Sequence, residues 1–432
     1  MKNISTIAAV STGCLLMLFA GLSEVSYGVR LSRLLSEEEY YYSLITIFVI
    51  SAKVGSIIGS LVYSILADII GRKYTITAIC VPIVISSIIF QITSEYVVGC
   101  VAHFQAGFSI GGIFSVLPVY IGEVVTEGSR GRLIAVFWPA FALGAFLIQS
   151  QILKIFGGNI EFSFTNYTSS FLGFLTTILS ITVLLETRRK HFVNPRSIPL
   201  NKQLELNEVQ DEIYENFTNI QNHVDMEAKH SIFGKHKWLK PMLLMVLLYI
   251  LSLLSGINSY TLYKYTINEY YNPRWKAFII SGAQLVTSFF IVFLVDHFGR
   301  KLCLMISFAG TAYCLVLFLI LTISKTDLYY LYVLVFLMFH TAVNVGMGPI
   351  PFVLLGEIFP RHTKMICVGI YTTVTFILDL ILQGLSGYIF IQDSFIDVYV
   401  AILVSAISVI IVKYVYFETK PKRFNVFFLQ PC

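Results

Sequence analysis

The sequence predicts an all-α integral membrane protein with twelve transmembrane helices in two pseudo-symmetric six-helix bundles. The first observation is composition: 56% of the 432 residues are hydrophobic, 13% are charged, and the mean hydropathy is +0.77. A soluble domain carries about 25% charged residues, so much of this chain's apolar surface has to face lipid. The second observation is length. One crossing takes about 20 apolar residues, and the chain outside a polar stretch near residues 188–240 has room for roughly twelve.

The third observation is an internal repeat of charged motifs. Three acidic motifs each occur twice, in the same order, about 230 residues apart and beside apolar runs, which indicates a duplicated membrane unit. The pairs are Asp68-Ile-Ile-Gly-Arg-Lys73 with Asp296-His-Phe-Gly-Arg-Lys301, Glu123 and Arg130 with Glu357 and Lys364, and Glu186-Thr187 with Glu418-Thr419.

The repeat and the loop charges predict the domain organisation and the topology. We expect an N-terminal bundle at residues 1–190, a linker with short amphipathic helices at 191–240, a C-terminal bundle at 241–417 and a tail at 418–432. Basic residues concentrate in the loops that join even-numbered to odd-numbered helices. Because such loops stay in the cytoplasm, this face and both termini are predicted to be cytoplasmic. The first apolar stretch lacks an obvious cleavage site, which predicts a retained helix and not a signal peptide.

Composition also excludes several classes of protein. The net charge of +5 is spread over short loops and gives no nucleic-acid signal. The seven cysteines are scattered, mostly inside apolar runs, and form neither a disulfide framework nor a zinc spacing. No nucleotide-binding loop and no nucleophile–base or metal constellation is recognisable, so we expect neither an enzyme nor a bound cofactor or metal.

The repeated acidic and basic residues are candidates for a cytoplasmic gate. Acidic residues add little to topology, yet every repeated motif has one at a helix end. Arginine and carboxylate form strong bidentate pairs, and such pairs between two bundles can hold one side closed and break when the bundles rock. The alternative is a set of solvated loops that obey the charge rule. The candidate gate residues are Asp68, Arg72, Glu123, Arg130, Glu186, Asp296, Arg300, Glu357, Lys364 and Glu418.

Two interrupted helices are candidates for a binding cavity. Asn344-Val-Gly-Met-Gly-Pro-Ile-Pro-Phe352 and Ser255-Gly-Ile-Asn258 place helix-breaking residues inside apolar runs. Irregular backbone at membrane depth is tolerated where it is buried or lines a cavity, and broken helices mark binding sites in carriers. Further amides in apolar runs are Gln149, Gln151 and Gln284. The alternatives are a simple kink and hydrogen bonding between helices.

Four ionisable residues lie deep in predicted helices. A charge at the centre of a membrane helix costs about 2.5–3.5 kcal/mol on insertion scales. Glu24, Lys53 and Asp379 therefore each predict either a functional site or a mutual ion pair, whereas the default for His103 is a hydrogen-bonded packing role. The pairs Gly55/Gly59 and Gly107/Gly111 have the spacing that lets helix backbones approach closely.

Taken together, the motifs resemble those of the major facilitator superfamily, specifically the sugar porter family and its insect trehalose-transporter-like branch. The matching stretches cover nearly the whole chain: Asp68–Lys73, Pro118–Glu123 with Arg130-Gly131, Ser255–Asn258, Asp296–Lys301, Gly348–Pro351 with Glu357, and Phe417–Lys420. The resemblance implies two six-helix bundles around one sugar site and alternating access without a cofactor. It implies that Asn258, Gln284, Asn344, Thr375 and Phe376 line the site, with Phe352 at a family tryptophan position, and that Tyr263 is an outer gate.

The chain departs from the family pattern where sugar hydroxyls are bound. Paired glutamines are replaced by Ser252 and Leu253, a tryptophan by Phe352, and an Asn-Trp pair by Thr375-Phe376. A net hydrogen bond is worth about 0.5–1.5 kcal/mol, so these losses concern the substrate more than the fold.

Three functions stay open from the sequence. The first is a facilitative carrier of a sugar, hexose or trehalose, that works as a monomer in the plasma membrane with the sugar and the lipid bilayer as its partners. The second is a proton-coupled carrier that uses Glu24 and His103. The third is a non-transporting membrane sensor derived from a carrier.

Overall fold

The computed structural model describes residues 2–34, 41–92, 95–125, 129–149, 161–182, 184, 238–257, 273–324, 329–359, 363–389 and 396–416. The described residues form fourteen α-helices and one π-helical turn. The helices of the N-terminal half are α1 Lys2–Leu34, α2 Tyr41–Ile69, α3 Arg72–Ile92, α4 Tyr96–Val124, α5 Arg130–Ala135, α6 Phe137–Gln149 and α7 Glu161–Thr182. Those of the C-terminal half are α8 Leu239–Ser252, α9 Pro273–Phe298, α10 Arg300–Ile323, α11 Tyr329–Val345, α12 Pro349–Glu357, α13 Lys364–Ile389 and α14 Ile396–Val415.

Eleven segments of the described chain are long and apolar enough to cross a membrane, and a shorter apolar helix spans Gly173–Thr182 in α7. Together they correspond to the twelve predicted crossings, with α5 and α6 forming one crossing and α11 and α12 another. Many large apolar side chains on these helices point outward, among them Phe293 at 71% exposure and Tyr414 at 76%. Outward apolar side chains in this number are what a lipid-facing surface requires.

Arg130 and Arg132 lie in the short helix α5. The helix α8 begins at Leu239, and the expected start of the C-terminal bundle is residue 241. Most of the predicted 191–240 linker and all of the 418–432 tail lie outside the described residues.

Both predicted helix interruptions are present. α8 ends in a π-helical turn, Leu253–Ile257, in which Gly256 has φ 87°. The tenth predicted crossing is divided, because α11 ends at Val345 and α12 begins at Pro349. The first residues of a helix have no partner within the helix for their N–H groups, and proline has no N–H group to satisfy. Pro349 can therefore begin a new helix directly after the break.

Glycines join α2 to α4 inside the N-terminal half. A Cβ atom placed on Gly55 or Gly59 would overlap the carbonyl oxygen of Phe104 or Phe108, and one on Gly107 would overlap that of Ala52. Because helices approach this closely only through small residues, α2 and α4 are expected to move as one body.

Replacing Gly59 by leucine is expected to lower the free energy of unfolding by at least the cost that overpacking usually has, about 1–3 kcal/mol. The obstacle is the backbone of Phe108 and not a flexible side chain. Thermal unfolding of the protein in detergent measures the effect. Gly282→Leu is the matched control, because the nearest atom to a Cβ there is 3.5 Å away on Phe146. Equal melting temperatures for the two variants would contradict the packing argument.

Among the described residues, the two halves meet where α2 and α4 pack against α13, where α5 and α6 pack against α9, and where α4 and α5 pack against α12. These contacts run from the face that carries Arg72 and Arg300 toward the opposite face. The former is called the basic face below.

Candidate functional site

A charged cluster in the N-terminal half lies at the basic face, where α2 and α4 end and α3 begins. Arg72 Nη2 is 3.2 Å from Glu123 Oε1 and 3.4 Å from Asp68 Oδ1. Its Nη1 donates to the carbonyl oxygen of Ala67 at 3.2 Å. Gly71 makes the turn before Arg72 with φ 100°, a conformation that favours glycine. The turn therefore places the guanidinium between the two acids, and the cluster has a net charge of −1.

The C-terminal half repeats this arrangement with more burial. Arg300 Nη2 and Nε donate to Glu357 Oε1 and Oε2 at 2.7 and 3.2 Å, a bidentate pair, and Nη1 is 3.5 Å from Asp296 Oδ1. The side chain of Arg300 is only 2% exposed. Gly299, with φ 88°, makes the equivalent turn. The repeated motifs thus have repeated geometry, as the duplication predicted.

Three contacts join these clusters across the two halves. Arg132 Nε on α5 is 3.2 Å from Asp296 Oδ2 on α9. A Cβ placed on Gly131 would overlap the guanidinium of Arg300, and one on Gly122 would lie 2.8 Å from the carbonyl oxygen of Gly356. At the basic face the halves are therefore in backbone contact, and this side is closed in the conformation described here.

Two predicted gate residues have partners other than the expected ones. Glu123 and Glu357 contact Arg72 and Arg300 in place of Arg130 and Lys364, because the arginine at the start of the neighbouring helix reaches each acid first. Lys364 Nζ donates instead to the carbonyl oxygen of Gly356. Among the described residues, Arg130 Nε is buried and has no hydrogen-bond partner.

Asn344 stands at the helix break and joins three helices. Its Oδ1 accepts a hydrogen bond from Trp138 Nε1 at 3.1 Å, and its Nδ2 donates to Thr287 Oγ1 at 2.9 Å and to the carbonyl oxygen of Gln284 at 3.3 Å. Asn344 is 1% exposed. The structure thus brings Gln284 and Asn344 together. In this conformation, however, both the oxygen and the nitrogen of the Asn344 side-chain amide are hydrogen-bonded to other protein groups.

Ser307 on α10 stabilises the break itself. Its Oγ donates to the carbonyl oxygen of Ala342 at 2.6 Å and accepts from the Met347 amide at 3.0 Å. A membrane provides no water for the backbone groups that a broken helix releases. One hydroxyl therefore supplies both an acceptor and a donor at the point where the helix is interrupted.

An aromatic cluster lies between the halves beside Asn344. The Phe114 ring of α4 contacts Phe352 at 5.6 Å and Phe376 at 6.1 Å, both edge to face. Thr375 contributes little polarity, since its Oγ1 donates to the carbonyl oxygen of Thr372 on the same helix at 2.8 Å. Edge-to-face pairs are favourable aromatic contacts, so these rings form an apolar layer between the helix break and the basic face.

The sequence did not single out Phe114 or Trp138. Phe114 stands in a helix without a distinct apolar face, so nothing in the sequence distinguishes it from the other apolar residues around it. Trp138 carried a usable signal: it is one of three tryptophans in the chain, and its N–H group needs a partner when buried.

His103 is buried and engaged by α2. Its Nδ1 is 2.9 Å from the carbonyl oxygen of Phe48, which can only accept, so Nδ1 carries a proton. The imidazole stacks on the Phe48 ring at 4.3 Å and 11°. These contacts fit a packing role.

Several predicted site residues lie beyond what the structure describes. Glu24 and Gln149 are in α1 and α6, but their side chains are outside the described set. Asn258, Tyr263, Gln151, Glu186 and Glu418 lie outside the described residues altogether.

Comparison with known proteins decides the family. The sequence model of the family described as "Sugar (and other) transporter" matches residues 17–427 of this chain. The chain belongs to the sugar transporter family. Its all-α fold with repeated halves is therefore that of the major facilitator superfamily, and it is a multi-pass membrane protein.

Relatives of this sugar transporter family member include insect proteins. The facilitated trehalose transporter Tret1 of Drosophila yakuba is 27% identical over 361 residues, a match that covers 77% of this chain and 40% of that protein. Tret1 of Polypedilum vanderplanki is 27% identical over 331 residues, covering 72% of this chain and 64% of that protein. The chain thus spans about two fifths to two thirds of the length of these relatives.

A solved structure supports the fold of this family member. The proton:xylose symporter XylE bound to 6-bromo-6-deoxy-D-glucose superposes with a TM-score of 0.71 at 17% identity, covering 97% of this chain and 96% of that chain. Similarity at this level of identity concerns the fold alone.

Proposed function

We propose that this chain is a facilitative carrier of a sugar, a hexose or trehalose, that works by alternating access in the plasma membrane with both termini in the cytoplasm. The observation that carries the proposal is the pair of repeated charge clusters joined across the halves by Arg132 and Asp296. Ion pairs of this kind differ in strength between the closed and the open conformation, which is what a two-state carrier needs. We assign Asp68, Arg72, Glu123, Arg132, Asp296, Arg300 and Glu357 to the cytoplasmic gate, with Arg130, Lys364, Glu186 and Glu418 beside it.

The central site is proposed at the helix break of α11 and α12. Asn344 and Gln284 supply amide groups there, and Phe352 and Phe376 supply the apolar floor on which a sugar ring can lie. The trehalose relatives support a sugar as substrate. Asn258, Gln149 and Thr375 are proposed to complete the lining, with Tyr263 at the outer end.

Sugar flux into vesicles tests the proposal. Purified protein in proteoliposomes is expected to give saturable uptake of radiolabelled glucose or trehalose. Empty liposomes and a non-sugar solute of similar size are the controls. A purified, folded protein that carries neither sugar would contradict the proposal and favour the sensor hypothesis.

Uptake is expected to be independent of a proton gradient. A proton-coupled carrier is the second candidate, because the solved structures with this fold include a proton:xylose symporter. Against it, the ring of His103 is stacked on Phe48 and its Nδ1 is bonded to the carbonyl oxygen of Phe48, contacts that fit a packing role. We expect equal uptake with and without an inward proton gradient, the matched control being vesicles whose gradient an ionophore has collapsed.

One result would contradict facilitative transport. If a proton gradient raises uptake and Glu24→Gln abolishes that rise, the carrier is proton-coupled and the facilitative assignment is wrong.

A further inference from the structure

Two oppositely charged side chains meet inside the membrane-spanning part of the molecule, away from both charge clusters. Lys53 Nζ on α2 is 2.8 Å from Asp379 Oδ2 on α13, and the two side chains are 10% and 14% exposed. An ionisable residue at membrane depth is a candidate functional residue by default. Neither the helix breaks nor the basic-face clusters include this pair.

The pair belongs to a seam between the two halves. α2 and α13 run antiparallel, and Ser60 Oγ lies 2.7 Å from Thr373 Oγ1 about two turns nearer the basic face. Nearer still, a Cβ on Gly369 would overlap the Ser64 side chain. The seam therefore extends over three successive levels, and its charged level lies farthest from the basic face.

Lys53 is held rigidly in the N-terminal half. The glycines described above lock α2 to α4, and Ser56, one turn from Lys53, donates to the carbonyl oxygen of Gly107 on α4 at 3.0 Å. Asp379 lies on α13 of the other half. The Lys53–Asp379 distance therefore depends on how the two halves are placed relative to each other.

The depth of the pair separates it from the basic face. Lys53 lies about four helical turns, about 22 Å, from Asp68, and Asp379 lies equally far from Lys364. The hydrocarbon core is about 30 Å thick. The pair is thus in the third of the membrane opposite the basic face, and the Arg132–Asp296 contact is at the other end of the same interface.

We propose that Lys53 and Asp379 form the outer gate of the carrier, an ion pair that joins the two halves while the outer side is closed and separates whenever the cavity opens outward. The proposal rests on alternating access as described under the proposed function. The two charges lie on different halves, so outward opening pulls them apart and lets water reach both. The pair acts on the accessibility of the site and does not itself bind the sugar.

A distance measurement across the outer face tests the gate without depending on flux. Nitroxide labels at Val97 on α4 and Tyr330 on α11, side chains 71% and 73% exposed at the outer ends of the two halves, report outer opening. We expect the double variant Lys53→Met/Asp379→Leu to populate the long outer distance at least threefold more than the unsubstituted protein, and the exchange Lys53→Asp/Asp379→Lys to restore the short distance. Ser56→Ala is the matched control, because it removes a hydrogen bond inside one half only, and its distribution is expected to be unchanged.

A static pair, present only to neutralise two charges in the membrane, predicts a different result. The double variant would then show the unsubstituted distance distribution, which would overturn the proposal. Should the double variant not fold, Lys53→Cys/Asp379→Cys with a short bifunctional thiol reagent decides the question. Cross-linking is expected to stop at least nine tenths of sugar flux and to remove the long outer distance, and full flux after complete cross-linking would overturn the gate. Absence of flux in the unsubstituted protein would instead count against the proposed function, and the label distances would still report on the gate.

Discussion

Replacing Arg300 by methionine is expected to reduce sugar flux at least about a hundredfold. The guanidinium is 2% exposed and bonded to both oxygens of Glu357, with Asp296 beside it. Removing one partner of a buried ion pair costs about 3–5 kcal/mol, since the acids are left without their cation. Most of this cost is expected to fall on the conformation in which the basic face is closed, because Gly131 of the other half then lies directly against the Arg300 guanidinium. Proteoliposome flux and thermal unfolding, measured on the same preparation, give both effects.

Two comparisons make this prediction specific. Arg300→Lys keeps the charge but not the bidentate geometry, so its flux is expected to fall between that of the methionine variant and that of the unsubstituted protein. Arg132→Met removes a half-exposed side chain, and exposed ion pairs contribute about 0–1 kcal/mol, so its melting temperature is expected to change little. Unchanged flux and melting for Arg300→Met would show that the C-terminal cluster does not hold the halves together.

Replacing Asn344 by alanine is expected to raise KM for the sugar at least about tenfold. The amide connects Trp138 of one half with Thr287 and Gln284 of the other. Leaving a buried donor or acceptor unpaired costs about 1–3 kcal/mol, so unfolding is also expected at lower temperature. Initial rates over a range of sugar concentrations separate KM from the maximal rate.

Trp138→Phe is the variant to compare with Asn344→Ala. It removes only the donor to Asn344 Oδ1 and leaves both bonds from Nδ2 in place. If the sugar replaces Trp138 as the partner of this oxygen, Trp138→Phe frees an acceptor and KM falls or stays constant, whereas Asn344→Ala raises it. Equal KM values for Asn344→Ala and the unsubstituted protein would exclude Asn344 from the sugar site.

The sequence was sufficient for the fold because membrane crossings depend on composition and length. The twelve apolar runs, the glycines of α2 and α4 and the broken helices at Gly256 and Pro349 all follow from local chemistry. The repeat of Asp68 to Arg72 as Asp296 to Arg300 likewise predicted two clusters of one geometry, since the same residues at the same helix ends make the same turn.

The pairings between distant helices could not be derived in the same way. In a soluble helix the apolar face shows which side is buried, but lipid and protein interior are both apolar. The rotation of α4, and with it the inward position of Phe114, therefore leaves no mark in the sequence. The sequence likewise does not show that Arg132, and not Arg130, reaches Asp296, because only the placement of α5 against α9 determines this contact.

The close approach of the two halves at the basic face explains why small residues stand there. Gly122 and Gly131 of one half and Gly356 of the other let backbone and charged groups meet directly. Contacts made through backbone have little freedom to adjust, so a small rotation of one half breaks them together. Closure of the basic face is thus expected to be cooperative, with the ion pairs and the backbone contacts forming and separating in one step.

The most direct test of alternating access is a pair of distances measured on the same protein with and without sugar. Labels at Tyr74 and Phe298, 60% and 46% exposed, report the basic face, and labels at Val97 and Tyr330 report the opposite face. Alternating access predicts two populations at each face that change reciprocally, the basic-face distance lengthening in the molecules whose outer distance shortens. A single distance at each face, unchanged by sugar, would contradict it.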